Sequence, residues 1–388
     1  MRTFEIEPVN KKGLAAQLQD KIDNLNKPKG SLGKLEKLAK QIGLIQNTLN
    51  PKLHHQCHAL FAADHGIERE GVSVSPREVT WQQLLNFCKG GGGVNMLCHQ
   101  HDFHLRLIDV GVDHDFPADI IDPQHYNNLL VEFPIYNHKI AYGTKNFLHE
   151  AAMSQEEYEQ AANVGMKHVS DSIAAGCNVI SFGEMSIGST SPSSIWMYFF
   201  ENIPLDKCVG AGAGLNSTGV QHKYEILAES IENFSRSTGI ESSTPLQAPE
   251  DWHFVPGKVE RPFFPAYARE IIRWFGGFEM VATIGAMLYA AEHRMVIVVD
   301  GFIMTACALA ASQLYPAVLD YMIFAHQGDE NGHCMMLQAM GADPILNLGL
   351  RLGEGTGALC AFPIIQSAVS MINEMNNFKD AKITKYFS

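Results

Sequence analysis

HALFAADHG, residues 58–66, is an apolar run that stops abruptly at an aspartate, a histidine and a glycine. An unbroken apolar run of strand length suits a strand buried on both faces, and the polar stop puts reactive groups at its carboxyl end. The same form recurs in LRLIDVGVD (105–113), NVISFGEM (178–185), MVIVVDG (295–301) and YMIFAHQG (321–328). Helical patterns lie between or after these runs, among them 154–176, 278–293 and 302–315. The alternation predicts an α/β fold with a Rossmann-like parallel sheet covered by helices on both faces. Ligands of such sheets bind beyond the carboxyl ends of the strands, so Asp64, Asp109, Glu184, Asp300 and His326 are expected along a functional edge.

The ends of the chain differ from this pattern. Residues 12–48 are rich in Lys, Leu and Gln at helical spacing, broken by the turn-forming NKPKGSLG, and residues 358–376 are also helical in pattern. The two termini are expected to pack as a small helical subdomain: 1–55 and 346–388 flank an α/β domain at 56–345. Residues 235–263, polar and Pro-rich, read as a long surface loop.

The 388 residues are enough for a substantial core, and 46% hydrophobic with 18% charged residues suits a globular chain. A net charge of −13 gives no general attraction to nucleic acid or anionic membrane, so an anionic substrate needs a local basic pocket. The opening MRTFEIEPVNKKGL has no apolar run behind its charges, and no segment reads as a membrane span, which predicts a cytoplasmic protein. The eight cysteines contain no CxxC pair and are expected to be reduced and mostly buried.

Several stretches carry candidate chemistry, each beside a plainer reading. In SFGEMSIGST (181–190), Gly183, Gly188, Ser189 and Thr190 could present N–H groups and hydroxyls to a phosphate at a helix start; an ordinary strand-to-helix turn with a serine cap is the commoner reading of the same letters. CVGAGAGLNSTG (208–219) lacks strict GxGxxG spacing, although its glycines would admit a close phosphate, and Lys223 beyond it could supply charge or simply be solvated. The glycines at 90–93 suit close helix packing or approach of a flat ligand. The His and Cys residues at 54–58 and 98–104 lack a zinc spacing, and His326, Glu330 and His333 fit hydrogen bonding better than a metal. In GLRLGEGTG (349–357), Glu354 is either a solvated turn residue or an unobstructed carboxylate whose apolar surroundings suit a general base.

Taken in order, NKPKGSLGKLEKLA (26–39), FAADHGI (61–67), GVSVSPREVTWQ (71–82), GEMSIGST (183–190), GAGAGL (210–215), GGFEM (276–280), VVDGF (298–302), HQGDENGH (326–333) and LNLGLRLGEGTGA (346–358) resemble the nicotinate-nucleotide:dimethylbenzimidazole phosphoribosyltransferase family from about residue 20 to about 370. The resemblance implies transfer of phosphoribosyl from nicotinate mononucleotide to dimethylbenzimidazole, giving α-ribazole phosphate for the cobamide lower ligand, without metal or cofactor and in a homodimer. It implies Glu354 as general base and Glu184 near the ribose or nicotinate, with Lys223 near the nucleotide. Gly183, Ser186, Gly188, Gly210, Gly212 and Gly214 would line the nucleotide pocket, while Ser75, Gln83 and Leu352 would face the base. Departures are GEMSIGST for the family's usual GEMGIGNT, GAGAGLNS for a Gly-Arg-Gly-Thr-Gly-Leu-Asp-like loop, and Gly328 where serine is usual. Transfer to another aromatic base and hydrolysis of the nucleotide stand as alternatives.

Overall fold

A computed structural model describes residues 1–9, 12–121, 132–212, 214–255, 264–330 and 332–384. The apolar runs form strands β1 (Cys57–Ala63), β2 (His104–Gly111), β4 (Val179–Met185), β5 (Val296–Val299) and β6 (Met322–Phe324), with a short β3 at Ile135–Asn137. All neighbouring pairs are parallel, in the order β3-β2-β1-β4-β5-β6. The chain runs outward from β1 to β2 and β3, then returns to place β4 on the other side of β1. That reversal opens a crevice beyond the carboxyl ends of β1 and β4, where open α/β sheets bind ligands.

Helices cover both faces. Phe278–Glu292 and Phe302–Leu314 are apolar almost all round, as suits helices packed between the sheet and an outer layer. Gln155–Ala174 crosses Phe278–Glu292 through glycines: a Cβ on Gly165 would stand 1.8 Å from Ala282 O, and one on Gly285 2.4 Å from Ala162 O. The backbones approach this closely because neither position carries a side chain.

At the ends of the chain, Lys12–Asp23 and Lys34–Ile45 form helices, and Lys34–Ile45 packs on Thr356–Glu374. The Asn26 N–H donates to Asn376 O at 2.8 Å, tying the two termini together. Thr356–Glu374 corrects one expectation, because its 19 residues are long and apolar enough to cross a membrane. More than half of that helix is buried within the protein, so packing against its own core accounts for the composition.

A second correction concerns residues 235–238, read from sequence as the start of a loop. They are the last turn of helix Ser217–Thr238, which ends at Gly239 with a φ of 70°. Residues 239–255 run without helix or strand, and 256–263 lie outside the described residues. Cys57, Cys88, Cys98, Cys177, Cys208 and Cys307 are buried, Cys334 and Cys360 are half-buried, and all eight are free thiols.

Candidate active site

A cavity of about 260 Å³ opens beyond the carboxyl ends of β4, β5 and β6. Glu184 to Thr190, Asp300 to Met304, His326 to Glu330 and Leu350 to Thr356 supply its walls, and Ser73 to Gln83 close one side.

Glu354 reaches this cavity from a strained turn. Gly353, Glu354 and Gly355 have φ angles of 84°, 60° and 82°, a left-handed run that is easy for glycine and unfavourable for glutamate. Its carboxylate Oε2 accepts the Val94 N–H at 3.0 Å, at the start of helix Gly93–Gln100. Burial pushes the carboxyl above its ordinary pKa, while the N–H groups of Val94 and Gly93 draw it back down. The group is therefore a desolvated carboxylate oriented by a helix N-terminus.

The backbone of the same turn is held by a histidine. Glu354 O faces His58 Nε2 at 3.0 Å, and Nδ1 of the same ring lies 2.7 Å from Ser181 Oγ. A carbonyl only accepts, so Nε2 carries the proton and Nδ1 accepts the serine hydroxyl. Burial lowers His58 to about 4 and keeps it neutral in this role. The surrounding glycines are steric necessities. A Cβ on Gly355 would lie 2.0 Å from His58 Cε1, one on Gly357 1.9 Å from His326 Cδ2, and one on Gly183 2.5 Å from Glu354 O.

Glu184, at the end of β4, faces the cavity and accepts the Ser186 hydroxyl. Burial raises it to about 7, with Ser186 acting in the opposite direction and Glu279 adding to the rise. Asp300 accepts the Ala358 N–H at 2.9 Å and stands 3.4 Å from His326 Nε2. Burial works against charge on His326, but Asp300 raises its pKa above the ordinary value. Lys223 is fully buried and donates to Thr190 Oγ1 at 2.7 Å; burial lowers its ammonium to about 8, opposed by Glu330.

Two carboxylates of raised pKa in a cavity beyond the carboxyl ends of parallel strands suit acid–base chemistry on an uncharged or cationic ring. The protein is 53% identical to nicotinate-nucleotide–dimethylbenzimidazole phosphoribosyltransferase of Phocaeicola vulgatus and 52% to that of Bacteroides fragilis, each alignment covering 100% of both chains. A family model described as Phosphoribosyltransferase matches residues 6–248 and 259–383. The chain belongs to the nicotinate-nucleotide–dimethylbenzimidazole phosphoribosyltransferase family. A crystal structure of nicotinate-nucleotide–dimethylbenzimidazole phosphoribosyltransferase from Thermus thermophilus is similar throughout, with a TM-score of 0.80 at 30% identity, covering 97% of this chain and 100% of that one.

Of the residues singled out from sequence and motif, Glu354, Glu184, Ser75, Gln83, Ser186, Gly188, Gly212 and Leu352 meet around this one cavity. Gly183 lies behind it against the Glu354 backbone, and Lys223 lies behind Thr190. Gly210 is buried away from the lining; Gly214 is exposed, with nothing within 4 Å of a Cβ built on it. Ala213 and Asn331 lie outside the described residues.

Asp64 and Asp109 are corrections, since neither lines the cavity. Asp64 accepts from Thr80 Oγ1 at 2.7 Å and the Asp113 N–H at 2.8 Å, while Asp109 accepts the N–H groups of Gly111 and Val112. They brace the loops after β1 and β2 instead. The Ser cap is also absent: Ser189 precedes helix Thr190–Glu201, but its hydroxyl donates back to Ser186 O.

Sequence reading missed the part played by Val94 and His58. The glycine run before Val94 was the available signal, because a Gly-rich helix start exposes N–H groups. His58 gave none, since one histidine in an apolar strand looks the same whatever it contacts. Among the described residues no group of three or more His, Cys, Asp or Glu side chains is placed to hold a metal ion.

Proposed function

We propose that this protein transfers the phosphoribosyl group of nicotinate mononucleotide to dimethylbenzimidazole, releasing nicotinate and forming α-ribazole phosphate for a cobamide lower ligand. The observation that carries the reading is the Glu354 carboxylate, desolvated, aimed by Val94 and set beside Leu352 in a cavity that also holds Glu184. The lone pair of one benzimidazole nitrogen forms a bond to C1′ as the bond from C1′ to the pyridinium nitrogen breaks. That electron pair leaves with nicotinate, whose ring nitrogen becomes neutral. The benzimidazole now carries positive charge, and its other N–H gives a proton to Glu354. Displacement on the face opposite the leaving group converts the β nucleotide to an α product.

Ser75, Gln83 and Leu352 are assigned to the base, and Glu184 to the sugar side. Gly183, Ser186, Gly188, Gly210, Gly212 and Gly214 are assigned to the nucleotide pocket, with Lys223 behind Thr190 supplying positive charge. Residues 1–55 and 346–388 form one small subdomain in this reading and 56–345 the main domain, supported by the packing of Lys34–Ile45 on Thr356–Glu374. The protein is cytoplasmic and homodimeric, acting with neither nucleic acid nor membrane and needing no metal or cofactor. Exposed Val74 and Leu352, on segments that line the cavity, support a second copy at its mouth. Sedimentation at micromolar concentration will return a dimer mass, and a monomer mass refutes that part.

The test of the reaction is incubation of purified protein with nicotinate mononucleotide, with and without dimethylbenzimidazole and in the presence of a chelator. Nicotinate release that depends on the base, with an α-configured nucleotide, is the expected result. Release without a base would make the protein a hydrolase. Preference for a purine or phenol in competition would change the acceptor, which apolar pockets discriminate by only about 1–3 kcal/mol per small substituent.

A further inference from the structure

We propose that Ser186 is a positioning residue for this reaction: its hydroxyl, donated to Glu184 Oε2, favours the anionic form of the Glu184 carboxylate and orients it toward the sugar side of the cavity. The inference rests on the transfer reaction proposed above and adds a residue to it.

Both side chains stand at the carboxyl end of β4 and line the cavity, and Ser186 is nearly buried. The turn that carries Ser186 is fixed on both sides. Its carbonyl accepts the Ser189 hydroxyl at 3.0 Å, and the following Ile187 N–H donates to Thr80 Oγ1 at 3.3 Å. With the backbone held, only the Cα–Cβ and Cβ–Oγ rotations aim the serine hydroxyl, and it is directed at Glu184. Among the described residues it supplies the hydrogen bond that reaches the Glu184 side chain.

The charged groups around Glu184 make that bond matter. Burial opposes its ionisation most, and Glu279 on helix Phe278–Glu292 and Asp300 beyond β5 oppose it further. His65 beyond β1 favours the anion, but its Nε2 is already engaged by Glu279 Oε1 at 2.6 Å. Glu354 adds a further carboxylate to the same cavity, through the turn in which Gly353 approaches Glu184. Without the Ser186 hydroxyl, Glu184 would take up a proton at higher pH than it now does, near 7. A protonated Glu184 loses the negative charge that stabilises C1′ as the pyridinium leaves.

The experiment compares wild type, Ser186→Ala, Ser186→Gly and Ser186→Thr. In Ser186→Ala and Ser186→Gly the acidic limb of kcat/KM against pH is expected to move up by about one unit, roughly a tenfold loss at pH 6 that is recovered by pH 8.5. Ser186→Thr, which keeps a hydroxyl, restores the wild-type limb. In parallel, infrared titration follows the protonated carboxyl band that Glu184→Gln removes, and its midpoint should rise by the same amount in Ser186→Ala without substrate present. A folded Ser186→Ala protein with an unmoved limb and an unmoved band overturns the proposal. An inactive wild type whose band still shifts would instead overturn the reaction, and with it the catalytic use of the contact, while the contact itself stood.

Discussion

Glu354 was recognisable in the sequence as a carboxylate among glycines, yet the letters around it left a solvated turn equally open. The solvated reading fails on a hydrogen bond from Val94, 260 positions away, which makes a loop glutamate an aimed and desolvated carboxylate, the group proposed above as the base. Replacing that carboxylate by an amide keeps the shape and removes the proton acceptor. Glu354→Gln should lower kcat for nicotinate release by about 10²- to 10⁴-fold, with little change in nucleotide affinity measured by calorimetry. Glu184 offers a test through stability. Its folded pKa near 7 lies above the ordinary glutamate value of 4.5, so the folded state holds the proton more tightly than the unfolded chain does. Stability from this group is full at low pH and is lost as pH rises through 7. Glu184→Gln should therefore be more stable than wild type by roughly 1–3 kcal/mol at pH 8, with the difference vanishing near pH 4.5, as read by urea unfolding. Such a gain accompanied by lost activity would mark Glu184 as a group kept for function at a cost in stability.

At the scale of elements, the strands were legible because a strand buried on both faces has to be apolar throughout, and five of the six announced themselves in this way. The short β3, Ile135–Asn137, did not, because three residues at a sheet edge are too few to set a pattern. The end of Ser217–Thr238 was misread because SRST is polar and resembles a loop, although a solvated last helical turn is polar for the same reason. The glycines of the helix crossing were also silent, since Gly165 and Gly285 look like weak points in a helix until a second helix is seen against them. A methyl group at either position meets backbone, which cannot rotate away. Gly165→Ala should destabilise the protein by about 1–3 kcal/mol despite alanine's higher helix propensity, shown as a lower urea midpoint with an unchanged slope. A neutral or stabilising effect would mean that the two helices can part without loss.

Across the whole molecule, the two ends of the chain meet. Asn26 donates to Asn376, and Phe378 donates back to Asn24 at 3.2 Å, so the C-terminal segment clasps the N-terminal helices. A protein ending at Met375 should lose this clasp, melt a few degrees lower and show faster hydrogen exchange in helix Lys12–Asp23 than in β1. Equal exchange in the truncated and full-length proteins would show that the clasp contributes nothing. The sequence by itself determined the alternation of buried strands and helices, the parallel sheet and the family motifs, because backbone propensity and hydrophobic periodicity are local properties. The tertiary structure alone decided the strand order that opens the crevice between β1 and β4, the separation of Asp64 and Asp109 from the cavity, and the partners of Glu354 and Glu184. Those depend on which distant segments share a desolvated space, and hydrogen bonding and electrostatics act on distance in the folded chain, not on separation along it.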